Sequence, residues 1–182
     1  QLRCDLARVL EELGNLEEAE DLYRQALRKQ ESLLGSDEPT TLNTALSLAG
    51  VLTERRKHSE AIPLRRRELA WCRQQNGDID PGTLSSINGL AIDLRETGEL
   101  EEAEALFREL VAARQQVLEP EDFQIGRALG GLARTLEAAG RLEDALTYSQ
   151  QALDHRQTHE GPDAWWTNRE RLDLARVLHK LG

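Results

Sequence analysis

The sequence predicts an all-α fold, a solenoid of helical hairpins, and three observations carry that prediction. Leu and Ala residues recur every 42 residues along the whole chain, as they do in repeat proteins. Leu, Ala, Glu, Arg and Gln dominate a composition that is 31% charged and only 4% aromatic, which is typical of helices around an aliphatic core. Glycines recur where the amphipathic pattern stops, as expected at helix ends.

The register of the repeat follows from four unbroken columns. The segment Asp5–Leu10 returns as Asp173–Leu178, four periods later. The columns are Leu6, Leu48, Leu90, Leu132, Leu174; Ala7, Ala49, Ala91, Ala133, Ala175; Leu10, Leu52, Leu94, Leu136, Leu178; and Ala19, Ala61, Ala103, Ala145. We therefore expect one array of four helical pairs and a fifth first helix, with repeats at about 1–38, 39–80, 81–122, 123–164 and a partial 165–182. The chain contains no Met, which indicates a fragment of a longer protein.

The first helix of each unit carries adjacent Leu and Ala, with a second Leu three residues after the Ala, which is the apolar stripe of an amphipathic helix. Gly14, Gly98, Gly140 and Gly182 then predict a left-handed residue that ends the helix. The second repeat has Arg56 at this place, and a left-handed arginine costs on the order of 1 kcal/mol.

In repeats 1, 3 and 4 the second helix begins with Glu-Glu-Ala or Glu-Asp-Ala, because acidic side chains suit the positive end of the helix dipole. The Ala column in its first turn predicts close approach of the two helices. Between units, Pro39 and Pro81 suit the first helical position, with Asp80 and either Glu38 or Asp37 as capping residues.

Charge and motif content exclude several classes of function. A net charge of −10 argues against nucleic-acid binding, which needs a positive field. No apolar run is long enough to cross a membrane, so we expect a soluble, cytoplasmic protein with no membrane contact. Cys4 and Cys72 belong to no metal-binding spacing, and His155 with His159 lack a third ligand, so no metal or cofactor is expected. No catalytic motif is present, and we expect no enzyme activity.

The pattern Leu-Ala-x-x-Leu, then Gly, then Glu-Ala, with a loop such as 34–39, resembles the kinesin light chain-like subclass of tetratricopeptide (TPR) repeats. Phe123 and Trp165 depart from it, because they stand where the loop proline belongs. The resemblance implies a right-handed superhelical α-solenoid and a non-catalytic module that binds a peptide or protein in its concave groove. Two alternatives remain: a structural or oligomerisation scaffold, or a regulatory array within a larger protease, kinase or nucleotide-switch protein.

In that family the first-helix face opposite the apolar stripe lines the groove, so the resemblance implies which residues contact a partner. The expected groove residues are Arg8, Glu12, Leu46, Glu54, Asn88, Ile92, Arg95, Arg127, Arg134, Arg169 and Arg176. The charges of the full groove columns are uneven. In repeats 1 to 3 the acids Glu11, Glu12, Glu54 and Glu96 outnumber Arg8 and Arg95, and in repeats 4 and 5 the cations Arg127, Arg134, Arg169, Arg176 and Lys180 outnumber Glu137. Because arginine binds carboxylates bidentately, we predict an acidic partner segment over repeats 4 and 5.

The competing interpretation of these charges is ordinary pairing within a helix, Arg8 with Glu12 and Arg134 with Glu137, worth about 0.2–0.5 kcal/mol per pair. Asn88 is an amide that the resemblance places in the groove, but only in the third repeat.

The fifth first helix raises a separate expectation. Val177 and Leu181 are predicted to face either a following helix or another subunit, so self-association through this helix is one possibility. Of Trp165 and Trp166, we expect one to pack beneath the fourth repeat and the other to be partly exposed; an aromatic anchor for a partner is the alternative.

Overall fold

The computed structural model describes residues 2–182, which form nine α-helices and no strand. The helices are α1 (Leu2–Glu12), α2 (Leu16–Leu34), α3 (Pro39–Glu54), α4 (His58–Asn76), α5 (Pro81–Thr97), α6 (Leu100–Val117), α7 (Phe123–Ala138), α8 (Leu142–His159) and α9 (Trp165–Leu181). Odd-numbered helices are the first helices of the repeats and even-numbered ones the second helices. The predicted four pairs and fifth first helix are therefore present in this range.

The chain divides into two units that we describe separately. Unit 1 is Gln1–Asp78 and contains α1 to α4; unit 2 is Ile79–Gly182 and contains α5 to α9. Within each unit every helix packs against the next one in the chain. In unit 2 the first helices also touch, α5 with α7 and α7 with α9. The architecture within each unit is that of an all-α helical-repeat solenoid.

The repeat columns form the core of both units. All four alanines in the first turn of the second helices, from Ala19 to Ala145, are completely buried, as their small size predicted. The central members of the first leucine column, Leu48, Leu90 and Leu132, are buried as well. Leu6, by contrast, is about half exposed. Since α1 has a described helix on only one side, the same column position there loses part of its cover.

The turn between the two helices of each of the four pairs uses a left-handed residue. At Gly98 φ is 88°, its N–H donates to the Arg95 carbonyl, and the Glu99 N–H donates to the Leu94 carbonyl. Arg56 has φ 60° and leads the same pattern of hydrogen bonds in repeat 2, from its own N–H and that of Lys57. The expected left-handed arginine is therefore confirmed.

Glu20 in α2 holds this strained turn in place. The carboxylate is almost fully buried and accepts from Arg55 Nη1 at 2.6 Å and Lys57 Nζ at 2.9 Å, the two residues that flank Arg56. Burial by itself would raise the pKa of Glu20, but hydrogen bonds from Lys57 and Arg24 outweigh it and leave the pKa lowered. The carboxylate is therefore charged at neutral pH and anchors the turn.

Unit 2 has a related ion pair at the same repeat spacing. Arg141, in the α7–α8 turn, donates to the Glu104 carboxylate of α6 at 2.8 Å. Glu104 and Arg141 are 37 residues apart, as Glu20 and Lys57 are. A second helix is thus linked to the turn of the following repeat in both units.

The helix starts agree with the expected caps in part. The Asp80 carboxylate accepts from the backbone N–H groups of Gly82 and Thr83, at 2.9 and 3.3 Å. Glu38 is the residue at the cap position of α3, but its side chain makes no capping hydrogen bond. Asp122 caps α7 through the N–H of Gln124. Short carboxylates reach the first turn, whereas a glutamate at this position does not.

The expectation that Val177 faces outward is wrong. Val177 is 1% exposed, whereas Leu178 is half exposed and Leu181 over a third. The column of Val177, which contains Val51, turns toward the preceding helices and is covered by them. In the column of Leu178, the residues Leu52, Leu94 and Leu136 are buried in repeats that have a second helix, whereas no described helix follows α9.

Candidate functional site

The first helices of unit 2 form a basic depression of about 390 Å³. Its lining residues come from α5, α7 and α9 and are Arg95, Glu96, Arg134, Glu137, Ala138, Arg169, Arg176 and Lys180. Four of the predicted groove residues are therefore brought together here, five cations stand against two carboxylates, and the net charge of the lining is positive. We call this surface the basic depression.

Glu137 anchors the rim between α7 and α9. Its carboxylate is buried and accepts from Arg176 Nε at 2.7 Å and Nη2 at 2.8 Å, a bidentate pair, and from Lys180 Nζ at 2.9 Å. The hydrogen bond from Arg176 is the largest cause that holds the pKa of Glu137 at about 2, and it outweighs the opposing effect of burial. Glu137 consequently neutralises part of the charge of Arg176 and Lys180.

Arg134 does not pair with Glu137, which corrects the expectation of pairing within α7. Its Nη1 donates instead to Asp173 Oδ2 of α9 at 2.9 Å, and Asp173 also lies 3.0 Å from Arg176. Because α9 packs alongside α7, an acid on the next first helix is closer than one a turn away on the same helix. The ion pairs of this surface therefore connect repeats.

The chain of ion pairs ends in a buried carboxylate, Glu170. It lies 3.4 Å from Arg156 Nε and 3.8 Å from Arg134 Nη1, and burial raises its pKa despite these cations. Gly130 makes room for it, since a Cβ there would lie 2.7 Å from the carboxylate. We missed Glu170 from the sequence; the signal was a glutamate in a column where other repeats have Thr44, Ser86 and Ala128.

Arg95 is the cation of the basic depression with an unused donor. Its guanidinium bonds Glu96 at 2.8 Å, but Nη1 is buried without a hydrogen-bond partner. Burial lowers the pKa of Arg95, and the neighbouring charges of Arg134 and Arg169 lower it further. Arg169 is exposed and forms no ion pair within residues 2–182. Arg95 Nη1 therefore lacks an acceptor, and Arg169 lacks a counter-ion among the described residues.

Three further predicted residues lie elsewhere on unit 2. Asn88 is buried, so its amide is not open to a peptide as the resemblance implied. Ile92 is half-buried and Arg127 is exposed. The pKa of Arg114 is lowered to about 10, first by burial and then by the charge of Arg127.

In unit 1 the predicted residues do not form one site. Arg8, Glu12 and Glu54 are exposed and Leu46 is half-buried. The expected pair of Arg8 with Glu12 does not form, because Arg8 makes no ion pair in the described part of the chain. Arg8 instead lines a polar pocket of about 320 Å³ between α1, α2 and α3, with Cys4, Asp5, Tyr23, Gln30, Thr40, Asn43, Thr44 and Ser47.

The two tryptophans at the start of α9 are both solvent-accessible. Trp165 is 62% and Trp166 50% exposed, and their rings meet edge to face with centroids 4.2 Å apart. The Arg156 guanidinium lies 5.5 Å from the centre of the Trp166 ring. The expectation that one ring packs beneath repeat 4 is therefore wrong, since neither is buried.

Over the described range, no group of three or more His, Cys, Asp or Glu side chains is placed to hold a metal ion. None of the helices within residues 2–182 has both the length and the apolar character that a bilayer crossing requires.

Comparisons with known proteins agree with the repeat structure. A family model described as tetratricopeptide repeat matches residues 1–74, 41–116 and 82–158. No curated protein sequence matches the chain significantly.

Among solved structures, a protein described as a kinesin light chain of Podospora anserina, with nearly identical TPR-like repeats, superposes with a TM-score of 0.81 at 24% identity; the match covers 97% of this chain and 84% of that one. BtubC (BKLC) from P. vanneervenii gives 0.75 at 18% identity, over 87% and 63%. A Rap protein complexed with competence and sporulation factor gives 0.73 at 14% identity, over 99% and 48%. At these identities the likeness concerns the fold.

Proposed function

Because the chain belongs to the tetratricopeptide repeat family, we propose that it is a non-catalytic protein-interaction module, and that the basic depression of unit 2 binds an acidic segment of its partner. One observation carries the finer part of this proposal: Arg95 has a buried donor without an acceptor, and Arg169 beside it has no counter-ion within residues 2–182. A carboxylate bound between them supplies what both side chains lack.

The other cations of the depression contribute less. Arg134, Arg176 and Lys180 already bond Glu137 or Asp173, so a ligand gains little by competing for them. Their role is to hold α7 against α9 and keep the surface in shape. The expected partner contact therefore centres on Arg95 and Arg169 rather than on Arg134 and Arg176.

The solved neighbours support peptide or protein binding in general terms. One Rap protein was solved with competence and sporulation factor, and another with the Phr* peptide. Their fold resembles that of this chain, and we extend only the type of function, recognition of a peptide or protein.

A second candidate function is self-association through α9, favoured by the exposure of Leu172, Leu178 and Leu181 on that helix. In this case the array acts as a scaffold, alone or as the regulatory part of a larger protein. Analytical ultracentrifugation over a range of concentrations separates the two candidates: a stable dimer that Leu178→Lys dissociates supports the scaffold.

The acidic-segment proposal is tested with a fluorescein-labelled peptide that contains a run of glutamates, compared with its glutamine counterpart. We expect Arg169→Glu and Arg95→Gln each to weaken binding of the acidic peptide about tenfold, since each removes a hydrogen bond to a charged group. Arg3→Glu is the matched control, because it removes an exposed cation from unit 1. Unchanged affinity in Arg169→Glu, or an equal loss in Arg3→Glu, contradicts the proposal.

A further inference from the structure

The polar pocket of unit 1 differs in chemistry from the basic depression. It lies between α1, α2 and α3, and most of its lining carries hydroxyl, amide or thiol groups. Its two charged side chains, Asp5 and Arg8, are exposed and form no ion pair with any residue in the range 2–182. What this pocket binds depends on which of its polar groups still have free donors or acceptors.

Two hydroxyl groups of the pocket already donate hydrogen bonds to other groups of the protein. The Tyr23 hydroxyl donates to Glu11 Oε2 at 3.1 Å, and the Thr44 hydroxyl donates to the Thr40 carbonyl at 3.1 Å. Cys4 Sγ lies 3.5 Å from Thr44 Oγ1 and is left as the donor of that contact. A hydroxyl has one proton, so Tyr23 and Thr44 present only lone pairs to a ligand.

Gln30 adds an acceptor with no partner. Its Oε1 is buried and forms no hydrogen bond, which is an unfavourable state for a polar atom in a folded protein. The Asp5 carboxylate at the rim can only accept as well. The pocket thus offers acceptors from three helices and the negative charge of Asp5. The charged donor of its lining, the Arg8 guanidinium, forms no ion pair with Asp5.

Two other repeats show what the fold places at the position of Gln30. Its equivalents are Arg114 and Arg156, and both bury their guanidinium groups. Arg114 donates to the Gln124 carbonyl at 2.8 Å, and the residue equivalent to Gln124 in unit 1 is Thr40, which lines the pocket. Glutamine is shorter than arginine and ends in an amide, so this position of repeat 1 lacks the guanidinium group that repeats 3 and 4 bury there.

We propose that the polar pocket of unit 1 binds a guanidinium group, the side chain of an arginine supplied by a partner protein, with Asp5 as its counter-charge and Gln30 Oε1 as a buried acceptor. A guanidinium has five donors in one plane, which suits acceptors spread over three helices better than the three donors of an ammonium group. Arg8 opposes the ligand by charge repulsion from the rim. This inference concerns unit 1 and is independent of the acidic segment proposed for unit 2.

The experiment is a titration of the ¹⁵N-labelled chain with N-acetylarginine amide, followed by amide chemical shifts. We expect saturable shifts at Tyr23, Gln30 and Thr44. N-acetylcitrulline amide, which has nearly the same shape without the charge, and N-acetyllysine amide should each bind about tenfold more weakly. Equal binding of either control overturns the assignment of a guanidinium site.

Variants of the pocket should change the affinity for N-acetylarginine amide in opposite directions, which a nonspecific effect would not do. Asp5→Asn should weaken binding about tenfold, and Arg8→Gln should strengthen it severalfold. Tyr23→Phe copies Phe107, its equivalent in repeat 3, and should weaken binding without loss of the fold. Gln30→Arg copies Arg114 and Arg156 and should abolish binding, because the new guanidinium would occupy the site of the ligand. Retained binding in Gln30→Arg, in a chain whose spectrum shows it folded, overturns the proposal; Arg169→Glu should leave this titration unchanged.

Discussion

Units 1 and 2 are built from the same repeat columns, yet they bury charge in different places. In unit 1 the buried acids are Glu20 and Glu68, both on second helices, and Glu20 holds the turn around Arg56. In unit 2 the buried acids all lie on first helices: Asp93 on α5, and Glu137, Glu170 and Asp173, which connect α7 with α9. The first-helix surface of unit 1 therefore keeps its charges unpaired, whereas that of unit 2 uses most of them for packing.

Glycines account for part of the difference. Gly130 and Gly131 in α7 occupy the positions of Leu46 and Ser47 in α3. A Cβ at Gly130 would meet the Glu170 carboxylate, and one at Gly131 would lie 2.3 Å from the Phe107 ring. The missing side chains let a carboxylate and an aromatic ring approach the backbone of α7. Uniform columns set the packing of the helices, and exceptions to them decide where charge is buried.

The largest effect is expected at Gly131. Gly131→Ala pushes a methyl group into the fully buried Phe107 ring, so we expect a loss of about 2 kcal/mol from the stability of unit 2. Gly50→Ala in α3 is the matched control, because nothing lies within 4 Å of its Cβ; there the better helix propensity should stabilise unit 1 by up to about 1 kcal/mol. Denaturant unfolding of both variants measures this, and equal shifts would show that the glycines of α7 are not needed for packing.

Removing one buried acid from each unit sharpens the comparison. Glu20→Gln and Glu137→Gln each weaken hydrogen bonds to two or more cations, and we expect losses of about 1–2 kcal/mol. Native-state hydrogen exchange should assign the first loss to α2–α4 and the second to α7–α9. Glu38→Gln serves as the control, because Glu38 is exposed and its side chain makes no capping hydrogen bond; it should change the stability of neither unit. A loss spread evenly over both units is the contrary result.

Acid should affect unit 2 through Glu137. Its pKa in the fold, about 2, is below the ordinary value of 4.5, so its stabilisation is complete above pH 4.5 and is lost as the pH falls toward 2. Because Arg176 and Lys180 are half exposed, we expect a loss of roughly 1–2 kcal/mol. Glu170 has a raised pKa and acts in the opposite direction, since its burial becomes costlier as the pH rises. Between pH 5 and pH 2.5, the free energy of unfolding should depend less steeply on pH in Glu137→Gln than in the unchanged protein. An equal pH dependence contradicts the assignment to Glu137.

The smallest effect is expected at the turn of unit 1. Arg56→Gly relieves a left-handed arginine and should stabilise unit 1 by about 0.5–1 kcal/mol. Thermal unfolding checks the sign. Arg66→Gly, an arginine inside α4 with ordinary helical geometry, should destabilise by about 1 kcal/mol and serves as the control.

The sequence predicted the helical pairs and their register because the packing columns repeat without interruption. Arg56 and Asp80 were also foreseen, since local backbone rules govern a helix end. The surface was less predictable. The resemblance placed Asn88 in the groove, but Asn88 is buried. Spacing along a single helix paired Arg134 with Glu137, whereas Arg134 bonds Asp173 of the next first helix. Which cations remain unpaired depends on contacts between repeats.

Ion pairs between consecutive repeats, such as Glu20 with Lys57 and Glu104 with Arg141, limit which repeats can be deleted or exchanged by recombination. Glu20 bonds Arg55 and Lys57, and Glu104 bonds Arg141, so α2 and α6 each bind the turn of the repeat that follows. In α4 the equivalent residue is Ile62, which cannot form such a pair. If residues 39–80 were deleted as one period, Glu20 would meet Thr97 and Glu99 in place of Arg55 and Lys57. Two cations would be replaced by a hydroxyl and a like charge. The repeats are therefore not interchangeable, because consecutive repeats have to match in charge as well as in shape.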